Sequence, residues 1–150
     1  MGTDAELSSS ERAREEPAPK NTTKTLVALP GLVLCRLEAP LCYANAQSFM
    51  DEVLSSVWDA PSTPRWVVLE CDSIGEIDYV GAQTLTELAD RIASKSVKLA
   101  FVGLTARVRG FLSDFGAFAI LDRDNIFPSV DAAVSTFERL AHSSTAPNRM

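Results

Sequence analysis

Two near-continuous apolar runs, Trp66 to Cys71 and Val97 to Val102, constrain this chain more than any other feature. A strand with one wet face alternates polar and apolar residues, whereas a run without alternation is covered on both faces. Each run is followed by apolar residues at helical spacing. Ala82, Leu85, Leu88, Ala89 and Ile92 follow the first, and Val108, Phe111, Leu112 and Phe115 follow the second. Upstream, Thr25 to Leu29 and Leu32 to Leu37 flank Pro30-Gly31, which predicts an antiparallel hairpin at one edge of a sheet.

Between the hairpin and the first run, Ala46, Phe49, Met50, Val53 and Val57 mark a further helix. It begins near Asn45, a residue type that caps free helix amides, and ends before Pro61 and Pro64. Ala119-Ile120-Leu121 is expected as a short last strand. Pro128-Ser129 then opens a terminal helix carrying Val130, Ala133, Val134, Phe137 and Leu140. A hairpin followed by alternating strands and helices predicts an α/β fold, a mixed β-sheet with an N-terminal antiparallel hairpin and about four packed helices.

The length of 150 residues suits one domain with its own core. Residues 1–23 are rich in Ser, Glu, Arg, Pro and Thr and are expected to be a flexible lead or linker. The folded domain is expected over 24–141, with 142–150 as a disordered tail. A net charge of -6 gives no overall electrostatic footprint for nucleic acid or for an anionic membrane surface. No apolar run approaches the ~20 residues of a spanning helix. The start Met1-Gly2-Thr3-Asp4 lacks the apolar core of a secretory signal, so a cytoplasmic setting is expected.

Composition and motif content point away from catalysis. No phosphate-cradling Gly-x-x-x-x-Gly-Lys-Ser/Thr loop, Gly-x-Gly-x-x-Gly, His-Glu-x-x-His or Gly-x-Ser-x-Gly occurs. The single histidine, His142, stands beside the polar stretch Ser143 to Pro147 and reads as solvated, which closes the Ser-His route. Cys35, Cys42 and Cys71 lack metal-ligand spacing and read as reduced thiols filling core space. Asp72, Glu76 and Asp78 could form a carboxylate pair, but turn and cap roles suit them better. No enzyme activity is expected.

Loops at the carboxyl ends of strands in open sheets are where ligands sit, so the segment Asp72 to Gly81 is the first candidate site. A helix starting near Val80-Gly81 would turn amides and a partial positive charge toward an anion, worth ~0.3 to 1 kcal/mol. Asn45 and Thr105 should begin two more helices on the same rim. Arg107 follows Thr105 closely and reads either as a phosphate or carboxylate contact or as part of a solvated face. Tyr43 and Phe127 read equally as interface anchors or as packing.

The segments Leu41-Cys42-Tyr43-Ala44-Asn45 and Ile77-Asp78-Tyr79-Val80-Gly81, with Asp72-Ser73 between them, resemble the cytoplasmic STAS domain of SulP-type sulfate and anion transporters. The resemblance runs from about Lys24 to Leu140. It implies a regulatory domain that works against the membrane domain of a parent transporter and docks cytoplasmic protein partners, without nucleic acid and with no required cofactor. Members of the family have been proposed to bind guanine or other nucleotides, which implies GTP or another nucleotide as a weak ligand of the rim. The residues this assigns are Tyr43, Ala44 and Asn45 from the first segment and Ser73 and Ile74 from the loop. Asp78, Tyr79, Val80 and Gly81 come from the second segment, and Thr105 and Arg107 from the third helix.

The same domain type forms the anti-sigma-factor antagonists of bacteria, which supplies the alternative of a free-standing signalling module. In those proteins the stretch matching Asp78 to Gly81 reads Asp-Ser-Ser-Gly, and its second serine is phosphorylated. Here that position is Val80, which has no hydroxyl, so that switch cannot operate. Ser73 and Tyr79 are the hydroxyls left nearby for such a modification.

Overall fold

The computed structural model describes residues 23–145. The hairpin forms as expected: β1 (Thr23–Leu29) pairs antiparallel with β2 (Leu32–Leu37), with Thr23 opposite Leu37. The chain then alternates α1 (Ala46–Trp58), β3 (Trp66–Glu70), α2 (Tyr79–Ala93), β4 (Lys98–Val102) and α3 (Ala106–Phe115). A two-residue strand β5 (Ile126–Phe127) and the helix α4 (Val130–Thr145) complete it. The sheet order is β1-β2-β3-β4-β5, with every pairing after the hairpin parallel. The hairpin is tied to β3 at its turn, where the Gly31 carbonyl accepts from the amides of Arg65 at 2.7 Å and Trp66 at 3.0 Å.

Burial explains why the central runs lack alternation. Val67, Leu69, Leu99 and Phe101 face the layer formed by α1, α2 and α3. Trp66, Val68, Ala100 and Val102 face Ala133 and Phe137 of α4 on the other side. Trp66 anchors that second core, edge-on to Phe137 with centroids 5.5 Å apart. Each large side chain taken out of water contributes roughly 1.5–3 kcal/mol, so both layers are needed to hold the sheet. The α1 stripe is buried as its spacing predicts, from Ala46 through Phe49, Met50 and Val53 to Val57.

Three expectations change. Ala119-Ile120-Leu121 is not a strand: Ala117–Ala119 forms a single helical turn, and the last strand is Ile126–Phe127. An apolar triplet carries no period, and here Leu121 alone of the three is buried, while Ala119 and Ile120 face solvent. The terminal helix runs to Thr145, so residues 142–145 are helical rather than tail. Asn45 precedes α1 but makes no side-chain cap. It is buried and turned backward, accepting from the Cys42 amide at 3.0 Å and donating to the Pro40 carbonyl at 2.9 Å. The expected lead, apart from Thr23, and residues 146–150 of the expected tail lie outside the described residues.

Candidate functional site

At the carboxyl ends of β2, β3 and β4 the chain leaves the sheet through three loops, and the helices α1, α2 and α3 begin there. Two of the loops are stitched together. Leu41 and Ile77 form an isolated parallel bridge. Asp78 reinforces it, since its Oδ1 accepts from the Gly81 amide at 2.7 Å and its Oδ2 from the Tyr43 amide at 3.0 Å. One carboxylate thus caps α2 and anchors the loop before α1.

Gly81 is required by close approach. A Cβ built there would lie 2.6 Å from the Leu41 carbonyl oxygen and 2.8 Å from Cγ1 of Ile77. The third loop uses the same device at Gly103, whose φ of +75° favours glycine. A Cβ there would overlap the Asp72 carboxylate. Thr105 caps α3, its hydroxyl accepting from the Val108 amide at 3.2 Å.

The three neighbouring carboxylates of the loop therefore serve separate partners. Asp72 packs on Gly103, Asp78 caps α2, and Glu76 forms an exposed ion pair with Arg107 at 3.6 Å. The Glu76–Arg107 pair borders a cleft of about 490 Å³ whose wall continues through Ile77, Val108, Phe111 and Asp114. Tyr79 stands beside it, edge-on to Phe115 at 5.1 Å. Tyr43 and Tyr79 are 76% and 63% exposed, and Val80 and Phe111 are also open to solvent.

The expected rim residues thus separate into two groups. Tyr43, Ala44, Ser73, Tyr79, Val80 and Arg107 are on the surface, with Asp78 and Thr105 half-buried beneath them. Ile74 is fully buried in the core, and Asn45 and Gly81 are packed into the loop junction, so these three shape the rim from below. Phe127 is half-buried, 6.0 Å from Trp66, and belongs to the second core. Sequence reasoning missed Phe111, Asp114 and Phe115 as rim residues. The two phenylalanines stood in an apparent core stripe; Phe115 is half-buried against that core, and Phe111 is the one left open to solvent. Cys35 and Cys71 are buried and Cys42 half-buried. Burial pushes the Cys71 thiol well above its ordinary value, with the Asp72 and Glu70 carboxylates adding to the shift.

Among the described residues no helix is long and apolar enough to cross a membrane. The STAS domain model matches residues 23–133. Over 111 residues the chain is 31% identical to a probable sulfate transporter of Mycobacterium tuberculosis, a match covering 74% of this chain and 20% of the transporter. The chain spans about a fifth of the length of the curated relatives it matches. Its fold is similar to that of the murine anion transporter Slc26a9, with a TM-score of 0.75 and 20% identity over 92% of this chain and 25% of that one. It is also similar to a putative anti-sigma factor antagonist from Thermotoga maritima, with a TM-score of 0.67 and 17% identity over 80% of this chain and 97% of that one.

Proposed function

This chain belongs to the STAS domain family, and from that premise we propose that it is the regulatory domain of a SulP-type sulfate or anion transporter. It works at the cytoplasmic face of the membrane, contacting the transporter's membrane domain or a cytoplasmic protein through the rim around Asp78. The observation that carries this reading is the pairing of a rigid base with an open surface. Asp78 locks two loops together, and Tyr43 and Tyr79 on either side of it remain exposed. Exposed aromatic side chains on a braced backbone suit protein contact, because a ring brings a large contact area with few side-chain torsions to fix. Regulation follows if the rim binds two states of the transporter with different affinity.

GTP or a related nucleotide is the small ligand proposed for the same rim. Tyr79 and Phe111 offer ring faces to a base, and Arg107 offers a planar fork to phosphate. Asp78 and Thr105 already hold the amides of Gly81 and Val108, so binding through those helix ends is weak, in the micromolar to millimolar range, about -4 to -8 kcal/mol. The second reading, a free-standing signalling module of the anti-sigma antagonist kind, is favoured by the shared fold. Val80 stands against it, having no hydroxyl to phosphorylate.

Amide-resolved NMR titration with GTP, ATP and sulfate, with and without magnesium, tests the ligand. Saturable shifts at Tyr43–Ala46, Ser73–Gly81 and Gly103–Arg107 are expected with GTP. Silence with all three would remove the nucleotide and leave protein docking as the role of the rim.

A further inference from the structure

The end of the sheet opposite the rim, where β3 and β4 begin, carries three cations stacked on aromatic rings. The Arg65 guanidinium lies 5.1 Å from the Phe137 ring, the Lys95 ammonium 5.2 Å from Trp58, and the Lys98 ammonium 4.8 Å from Trp66. Among the described residues, the ion pairs within 4.0 Å are made by other cations, Lys24, Arg36, Arg91 and Arg107. Within the described residues Arg65, Lys95 and Lys98, like Arg109, Arg123 and Arg139, make no such ion pair, in a chain of net charge -6.

Backbone structure holds the three at one end. The Lys98 amide donates to the Arg65 carbonyl at 2.9 Å, and Lys98 lies opposite Trp66 in the β3–β4 register. Lys95 sits in the turn after α2, its amide bonded to the Ile92 carbonyl at 3.0 Å. Trp58 ends α1 and is 47% exposed. Asp59, the acid next to it, lines a separate groove with Thr25 and Ser55 on the β1 side.

We propose that this end is a contact surface for the anionic headgroups of a lipid bilayer. The inference rests on the reading of the chain as part of a membrane transporter and adds a second surface to it. Net charge argues against an anionic partner only when charge is evenly spread, and here three of the four cation–ring pairs among the described residues lie at the end that lacks the rim's Glu76, Asp78 and Asp114. A cation backed by an aromatic ring presents an apolar body and a charged tip, the combination that suits the boundary between headgroups and hydrocarbon. The depression beside them, lined by Val57, Trp58, Thr63 and Lys95, holds about 240 Å³, too little for a folded partner segment. Each such cation near an anionic leaflet strengthens partitioning roughly fivefold, and three together roughly a hundredfold.

Both tryptophans of the chain, Trp58 and Trp66, lie at this end, and only Trp58 is exposed, so indole emission reports the contact. The full chain is titrated at low salt with phosphatidylglycerol vesicles, with phosphatidylcholine vesicles, and with soluble glycerol phosphate at matched phosphate. A blue shift and reduced acrylamide quenching are expected with phosphatidylglycerol vesicles alone, reversed by raised salt. Arg65→Gln/Lys95→Gln/Lys98→Gln should bind roughly a hundredfold more weakly, and Lys95→Gln alone, in an exposed turn, roughly fivefold. Arg36→Gln, whose side chain pairs with Glu70 at the other end of the sheet, should bind like the parent. No shift with phosphatidylglycerol, an equal shift with phosphatidylcholine or glycerol phosphate, or undiminished binding by Lys95→Gln and the triple variant would each overturn the proposal. Because the rim is tested separately by its own titration, failure here leaves the transporter reading standing.

Discussion

Asp78 and Tyr43, 35 residues apart, are joined by a 3.0 Å bond from the Tyr43 amide to the Asp78 carboxylate, whose other oxygen caps α2. Asp78→Ala removes both acceptors. A lost cap costs about 0.5–2 kcal/mol, and the unpaired Tyr43 amide adds to that, so a total loss near 2 kcal/mol is expected. It should appear as a lower urea midpoint with unchanged slope. Asp78→Asn keeps one oxygen acceptor and should lose about half as much. Equal stability of Asp78→Ala and the parent would show that the junction does not depend on this carboxylate.

Gly81→Ala sets helix propensity against packing. Alanine is favoured in a helix interior by about 1 kcal/mol, but its methyl group would lie 2.6 Å from the Leu41 carbonyl oxygen. Overpacking against backbone costs about 1–3 kcal/mol, so net destabilisation is expected. Amide shifts should change at Leu41 and Ile77, on both sides of the bridge. A stabilised variant would mean that the loop yields freely.

Gly103→Ala combines a left-handed φ with overlap of the Asp72 carboxylate. A loss of about 2–4 kcal/mol is expected. Asp72→Ala, at an exposed position, should be nearly neutral alone but should recover part of the Gly103→Ala loss when combined with it. Strict additivity in this double-mutant cycle would rule out the contact as the cause.

Cys71 and Cys35 make stability fall in alkali. Burial raises the Cys71 thiol, and burial likewise raises Cys35 against the opposing hydrogen bonds with Thr25 and Ser56. The folded thiols stay protonated where those of the unfolded chain ionise. Their contribution is complete below the unfolded thiol pKa of about 8.5 and declines as pH rises above it, by up to about 1.4 kcal/mol per pH unit for each thiol. Denaturant midpoints between about pH 8 and 10 should fall accordingly, less steeply in Cys71→Ala. Alkylation of the native chain should modify Cys42 first.

The parts legible in the sequence were those with a local period. The α1 stripe from Ala46 to Val57 and the two unalternating runs translated directly into buried faces, because spacing alone decides which side chains share a face. Asp78 and Thr105 were legible as helix starts for the same local reason. The misreadings concern choices that residue type and spacing leave open. Asn45 had the chemistry of a cap but folds back onto Pro40, and Phe111 and Leu140 keep a helical spacing yet stay partly exposed among the described residues.

By itself, the sequence determined the α/β class, the edge hairpin, most helix starts and the family resemblance, since these depend on residue type, spacing and short-range hydrogen bonding. Tertiary structure alone decided that one carboxylate serves two loops, that Gly81 and Gly103 sit where a methyl group would collide, and that three cations gather on rings at the far end of the sheet. Those facts arise from contacts between segments tens of residues apart, and the packing that creates them follows from how the sheet brings its loops together, which no local pattern encodes.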